Sequence, residues 1–182
     1  MKSVYIVDVM REVVGRVSAK LTPSLIALDS NITGVHYDHG HPLEIINTLA
    51  DKDKSNTFTF RKYPLVALFQ DFPESKGEIG FDSEVTLHMI IARSTVNTYK
   101  AQERYEKNFK PFLYPIYQEL LNQIWLSKPF NVKSAGQIQH TKIDRLYWGK
   151  EGLYKNEGNV FNDFIDCIEI KDLKLKVNLK NC

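Results

Sequence analysis

The stretch DLKLKVNLK, residues 172–180, alternates without a break: Leu173, Leu175, Val177 and Leu179 against Lys174, Lys176, Asn178 and Lys180. Side chains of a β-strand point to opposite faces with a period of two, so this run is a strand dry on one side and wet on the other. Just ahead of it, IDCIEI (165–170) is also strand-like, but its apolar parity shifts between Ile170 and Leu173. A parity shift inside one extended run predicts a bulge or tight turn near Asp172. A half-buried strand needs neighbours in a sheet and a layer over its dry face, and the rest of the chain has to supply both.

Residues 3–21 read as an amphipathic helix, with Val4, Val7, Val14, Val17 and Leu21 at helical spacings, Arg11, Glu12 and Arg16 elsewhere, and Pro23 as a stop. Its valines lower helix propensity, so packing must hold it. Asn31–Tyr37 reads as a short strand, Pro42 as the first-turn residue of a helix through Leu49, and DKDKSN (51–56) as a polar loop. Residues 57–69 are strand-like, densest at YPLVALF. The charged segment 71–84, with Pro73, Gly77 and Gly80, reads as an exposed loop or hairpin tip. Glu84–Ala92 resumes as a strand with Val85, Leu87, Met89 and Ile91 on one face and His88 on the other.

The longest helical signal covers Lys100–Leu126, with an apolar stripe of Tyr105, Phe109, Phe112, Ile116, Leu120 and Ile124. Pro111 and Pro115 interrupt it and predict a short helix near 100–109 followed by a longer one over 111–126. Residues 127–161 are loop-rich, with short strands expected at 137–142 and 144–148. The sum is an α+β fold: one domain over residues 1–182, a mainly antiparallel sheet with helices packed on one face. A doubly wound fold would need regular strand–helix alternation, whereas 57–92 runs from strand to strand.

A chain of 182 residues buries enough surface to fold without disulfides or metal. With 24 basic and 22 acidic side chains its formal charge is +2, which gives no sign of general nucleic-acid affinity. Cys167 and Cys182 make no disulfide framework; Cys167 reads as a small buried hydrophobe, in keeping with a reducing compartment. Asp8, Arg11 and Glu12 break the N-terminal apolar stretch, and no run suits a bilayer, so the expectation is a soluble protein with no membrane partner.

Chemistry concentrates at VHYDHGHP (35–42), where His36, His39 and His41 lie beside Asp38 and Glu44. Zinc needs three or four converging ligands. On a strand His39 and His41 would share a face and His36 would point away, and no HExxH or CxxC spacing occurs. A polar turn is the plainer reading, with one histidine stacked on Tyr37. There is no GxSxG elbow, no cysteine with a histidine nearby in sequence, and no phosphate loop; KGEIG lacks both phosphate-loop glycine patterns. The acids Asp71, Glu74, Glu78 and Asp82 read as a solvated loop. Lys174, Lys176 and Lys180 read first as strand-edge protection and second as a contact for a phosphate backbone. Tyr147 and Trp148, before Gly149, suit a protein interface. No catalytic residue or cofactor emerges.

Four segments, HGHPLEIINTL (39–49), RKYPLVALFQDFPE (61–74), RYEKNFKPFLYPIYQELLNQI (104–124) and NDFIDCIEIKDLKLKV (162–177), resemble in matching order the tail terminator or tail completion proteins of tailed phages, particularly those of Bacteroidetes hosts. The likeness lies in packing and loop patterns. It implies a small α+β subunit that forms a ring, commonly a hexamer, at the head-proximal end of the tail, in a virion assembled in the host bacterial cytoplasm. Such a ring caps the tail tube and meets the head–tail connector, and genomic DNA passes through it. On that expectation the contacts fall on the 71–82 loop (Asp71, Glu74, Glu78) and on 127–161 (Tyr147, Trp148), and Lys174, Lys176 and Lys180 face the DNA. The resemblance carries no catalytic residue and no cofactor. Competing readings are a small metal-dependent hydrolase centred on His36, His39 and His41, and a nucleic-acid-binding module using the lysine strand.

Overall fold

Residues 172–178 of the alternating run form the C-terminal half of β6 (Ile165–Asn178), the strand around which the sheet is organised. In the computed structural model, which describes residues 5–54, 62–76, 82–146 and 164–178, β6 pairs antiparallel along its whole length with β4 (Asp82–Ser94). The register slips between Leu87↔Leu173 and Met89↔Ile170, placing an extra β6 residue opposite His88. Asp172 there has φ +53°, a left-handed conformation that aspartate tolerates better than most residues. The bulge expected from the parity shift lies at that residue. It lets Ile168 and Ile170 share a face with Leu173, Leu175 and Val177.

The sheet order is β1-β2-β4-β6-β5, with β1 (His36–Gly40) parallel to β2 (Leu65–Phe69) and the other pairings antiparallel. β5 spans Thr141–Arg145, a single strand where two were expected, and a 3₁₀ turn occupies Ala135–Gln137. A short β3 (Glu74–Lys76) pairs β4 beyond the end of β2, so the charged loop contains one arm of a hairpin. β6 is not an edge strand. β5 covers part of its outer side, and the segment around Pro129–Gln139 covers the rest through Asn131 N–H to the Lys176 carbonyl (2.8 Å), Asn178 N–H to Pro129 (2.8 Å) and Lys174 N–H to Gln139 (3.0 Å). Of the expectation that the lysines lie on an exposed strand face or edge, the edge is thereby corrected for Lys174 and Lys176, which stand on the exposed face of an inner strand.

One face carries the main core. Val85, Leu87, Met89 and Ile91 join Ile168, Ile170, Leu173, Leu175 and Val177 under α1 (Ile6–Leu28) and the helix that runs from Ala101 to Trp125. This is the α+β sheet with a helical layer that the sequence predicts. On the opposite face, among the described residues, one end is dry: Ile45 and Leu49 of α2 (Pro42–Lys54) cover Leu65, Ala67, Phe69, Ile90, Ala92, Ile165 and Cys167.

The strand expected over Asn31–Tyr37 lies at His36–Gly40, and three helix boundaries also differ from expectation, for physical reasons. Pro23 does not stop α1, which continues to Leu28. Proline removes one intrahelical bond, to the carbonyl of Ala19, and Ala19 is exposed, so that carbonyl faces water. Thr22 Oγ1 donates to the Ser18 carbonyl (2.6 Å) and buried Leu25 anchors the last turn. Likewise Pro111 does not break the second helix. α3 (Ala101–Arg104) passes into a π-helix (Tyr105–Leu113) and then α4 (Tyr114–Trp125), and the wider π turns absorb the missing donor. The π segment also rotates the stripe: Arg104 and Asn108 turn inward with Phe109, Phe112 and Leu113, while Tyr105 is exposed. Finally, Asp51–Lys54, expected as loop, belongs to α2.

Candidate functional site

The histidines of VHYDHGHP lie on β1 and its exit, not in a turn. Strand alternation sends Tyr37 and His39 to one face and His36 and Asp38 to the other. Tyr37 donates to the Val7 carbonyl (3.1 Å) and stacks on His39, ring centroids 5.9 Å apart and ring planes nearly parallel. Burial raises the Tyr37 hydroxyl pKa, against a smaller opposing pull from Arg11. His36 Nε2 lies 3.4 Å from Thr33 Oγ1. His41 caps α2: its carbonyl accepts from Glu44 and Ile45, its Nδ1 accepts from Leu43 N–H (3.2 Å), and its own N–H donates to Glu44 Oε2 (3.2 Å). Glu44 supplies the N3 arm of a capping box, while the histidine ring nitrogen caps N2 in place of the usual hydroxyl on N3. Gly40 sits at φ +137°, and a Cβ there would fall 2.9 Å from Glu44 Oε2, so the tight exit belongs to glycine. The three imidazoles thus serve three different structural contacts. Among the described residues no three His, Cys, Asp or Glu side chains are grouped to hold a metal ion.

The half of the second sheet face that no described element covers is the more unusual surface. Beyond α2 the face opposite the main core carries Glu84, Thr86 and His88 of β4, Glu169, Lys171, Lys174 and Lys176 of β6, and Arg145 of β5. Glu169, almost fully buried, joins three strands. It accepts from Arg145 Nε through one oxygen, and from His88 Nε2 (3.0 Å) and Lys171 Nζ (3.3 Å) through the other. Burial alone would raise its pKa, but the hydrogen bonds from Arg145 and Lys171 outweigh that and hold the carboxyl below the usual range. His88 also meets Phe69 edge-on, centroids 4.6 Å apart. Lys174 and Lys176 stand exposed beside this knot. Next to it a cavity of about 300 Å³ is lined by Asp71, Phe72, Pro73, Thr86, His88 and Lys171, among others.

Elsewhere the buried charges tie elements together. Arg104 and Asp166, both essentially inaccessible, pair at 2.7 Å, and Asn108 donates to the other Asp166 oxygen (2.9 Å). Glu119 accepts from Gln123 (2.6 Å) and from Lys20 (2.7 Å), and Arg16 donates to Gln123 (3.0 Å), fastening α1 to α4. Here too burial would raise the Glu119 pKa, and the bonds from Gln123 and Lys20 bring it down. Burial pushes the Cys167 thiol well up, the opposite of what a nucleophile needs.

Of the residues the sequence singled out, Asp71 and Glu74 are exposed at the bend into β3, and Lys174 and Lys176 share the open face. Glu78, Tyr147, Trp148 and Lys180 lie outside the described residues, as does KGEIG beyond its Lys76. Sequence reasoning missed the Arg104–Asp166–Asn108 cluster and the Glu169 knot. The available signal was the acids inside IDCIEI: Asp166 and Glu169 interrupt an otherwise apolar strand, and an acid in such a place needs a buried cation.

No protein-family model matches the chain, and no curated protein is similar to it. No helix of the described residues is long and apolar enough to cross a membrane.

Proposed function

We propose that this chain is a structural subunit of a tailed-phage tail, of the terminator or tail completion type. In this reading it forms a ring, commonly a hexamer, at the head-proximal end. The ring caps the tail tube, offers a surface to the head–tail connector, and works without making or breaking a bond. The observation that carries the reading is the half-covered sheet. One face is packed by helices, while half of the other is covered by no described element and forms a braced, cation-rich surface, which suits contact with another macromolecule better than turnover of a small molecule. The buried ions support it, since Arg104–Asp166, Lys20–Glu119 and the Glu169 knot each join separate elements. Lys174 and Lys176, with Lys180, are the residues assigned to DNA passing through the ring.

Ring closure requires a head-to-tail contact between copies, which leaves both partner surfaces of a free subunit exposed. The test is electron microscopy and mass photometry of the purified protein with its tube protein. Rings, and tubes of limited length capped at one end, are expected. Tubes that elongate freely past the protein would refute the terminator role, and a strictly monomeric chain in the presence of tube ends would refute ring formation.

A further inference from the structure

The two outer strands on the β1–β2 side of the sheet treat their free backbone groups differently. In β1 the bonds from His36 N–H to Pro64 and from Gln70 N–H to the Gly40 carbonyl fix the phase, so Tyr37 and His39 aim their backbone groups outward. The outward His39 N–H is closed by Asp38 Oδ1 (2.9 Å), a carboxylate sitting on the edge itself. In β3 the bond from Thr86 N–H to the Pro73 carbonyl makes Pro73 and Ser75 face β4, so Glu74 and Lys76 aim outward. No described residue closes that edge, and Glu74, Ser75 and Lys76 are all exposed.

A groove runs beside it. Because β1 ends at Gly40 while β2 continues through the bend into β3, the strand position in line with β1 and alongside β3 is filled by no described residue. The adjoining cavity, about 390 Å³, has Ile6, Val7 and Phe72 as an apolar floor and Tyr5, Asp8 and Glu74 on its rim. Asp8 is held by Arg11, which leaves Glu74 as the rim charge without an ion-pair partner among the described residues. Tyr5 is two-thirds exposed.

We propose that β3 and this groove form a docking site for an extended segment of a partner protein. The segment adds to the sheet as a strand, places an apolar side chain over Ile6, Val7 and Phe72, and sets a basic side chain against Glu74. Strand addition draws affinity from main-chain hydrogen bonds and specificity from pockets for alternate side chains, and the open edge and adjoining groove supply both. The charge of the rim selects a basic segment over an acidic one. The site does not depend on ring assembly.

The probe is a fluorescein-labelled peptide of alternating valine and lysine, measured by anisotropy against the whole chain. Three comparisons decide the matter: the same peptide N-methylated on the backbone at alternate residues, Lys76→Pro, which deletes one outward N–H and none of the bonds to β4, and Glu74→Lys. Saturable binding that weakens tenfold or more in each of the three supports the site. Binding unchanged by N-methylation and by Lys76→Pro would mean charge adhesion alone and would overturn it, as would no binding to the parent chain. Circular dichroism of both variants guards against loss of fold. If Lys76→Pro unfolds, the N-methylated peptide on the parent chain decides alone.

Discussion

Consider the loss of Asp166. Its carboxylate is fully buried between the Arg104 guanidinium, 2.7 Å away, and the Asn108 amide, 2.9 Å away. Arg104 also donates to the carbonyls of Tyr99 (2.9 Å) and Val96 (3.1 Å), so its position is fixed by the chain around it and it cannot swing out to water when the acid is gone. Asp166→Ala therefore takes the paired carboxylate from a buried cation and removes the nearer acceptor of the Asn108 amide. Breaking a buried pair in this way costs about 3–5 kcal/mol. For a domain of this size each kcal/mol lowers Tm by roughly 2–4 °C, which gives a fall of about 6–20 °C. Arg104→Met should cost a similar amount, because it leaves the acid with Asn108 alone. The double variant Arg104→Met/Asp166→Leu should recover most of the loss, since replacing both ions with apolar groups of similar volume is often close to neutral. The assay is urea unfolding followed by circular dichroism, run as a double-mutant cycle. A cost below about 1 kcal/mol for Asp166→Ala, in the range of an exposed ion pair, would refute the burial on which the reasoning stands.

Three further outcomes are expected. Glu169 has a folded pKa below its unfolded value, so its stabilising contribution is complete above the ordinary carboxylate range, about pH 4.3, and is lost as pH falls through the folded value; Glu169→Gln should flatten the acid limb of the urea midpoint against pH while changing the slope near neutrality little. Gly34 has φ +155°, and a Cβ there would lie 2.8 Å from the Ser18 Oγ that accepts from Val35 N–H, so Gly34→Ala should cost about 1–3 kcal/mol in a thermal melt, and an unchanged Tm would contradict that geometry. Because His36, His39 and His41 serve separate contacts, dialysis against EDTA should leave Tm unchanged; a fall reversed by zinc would revive the metal reading.

Much of the fold was legible because it is written in local periodicity. The alternation of Leu173, Leu175 and Val177 and the parity shift at Asp172 gave β6 and its bulge, and Val85 to Ile91 gave the core face of β4. What was not legible depended on partners distant in the chain. Pro23 and Pro111 carry strong local stop signals, but packing of Leu25 and of the π-helix overrides them, and no single-sequence rule reports on that. Tyr105 falls on the apolar stripe at α-helical spacings of three and four; the π turns shift that phase and bring Arg104 inside instead. The histidine strand looked like a turn because β1 is short and half-exposed, with weak alternation, and is held by one neighbour, β2. The open sheet face could not be read from the lysines alone. Their placement depends on β5 and the Pro129–Gln139 segment lying outside β6, and nothing in DLKLKVNLK itself distinguishes an inner strand from an edge.

The position of β6 bears on when the molecule can fold during synthesis. Each stretch that hydrogen-bonds to it, β4 on one side and β5 with its preceding segment on the other, leaves the ribosome earlier. Until residues 165–178 emerge, β4 and β5 have no common neighbour, and the apolar row from Val85 to Ile91 lacks half its lining. Distant strand pairings of this kind close slowly and expose unpaired edges meanwhile. A nascent chain stalled ahead of Ile165 would therefore be a sticky, half-built sheet, and rapid arrival of that one strand separates the folded domain from an aggregate.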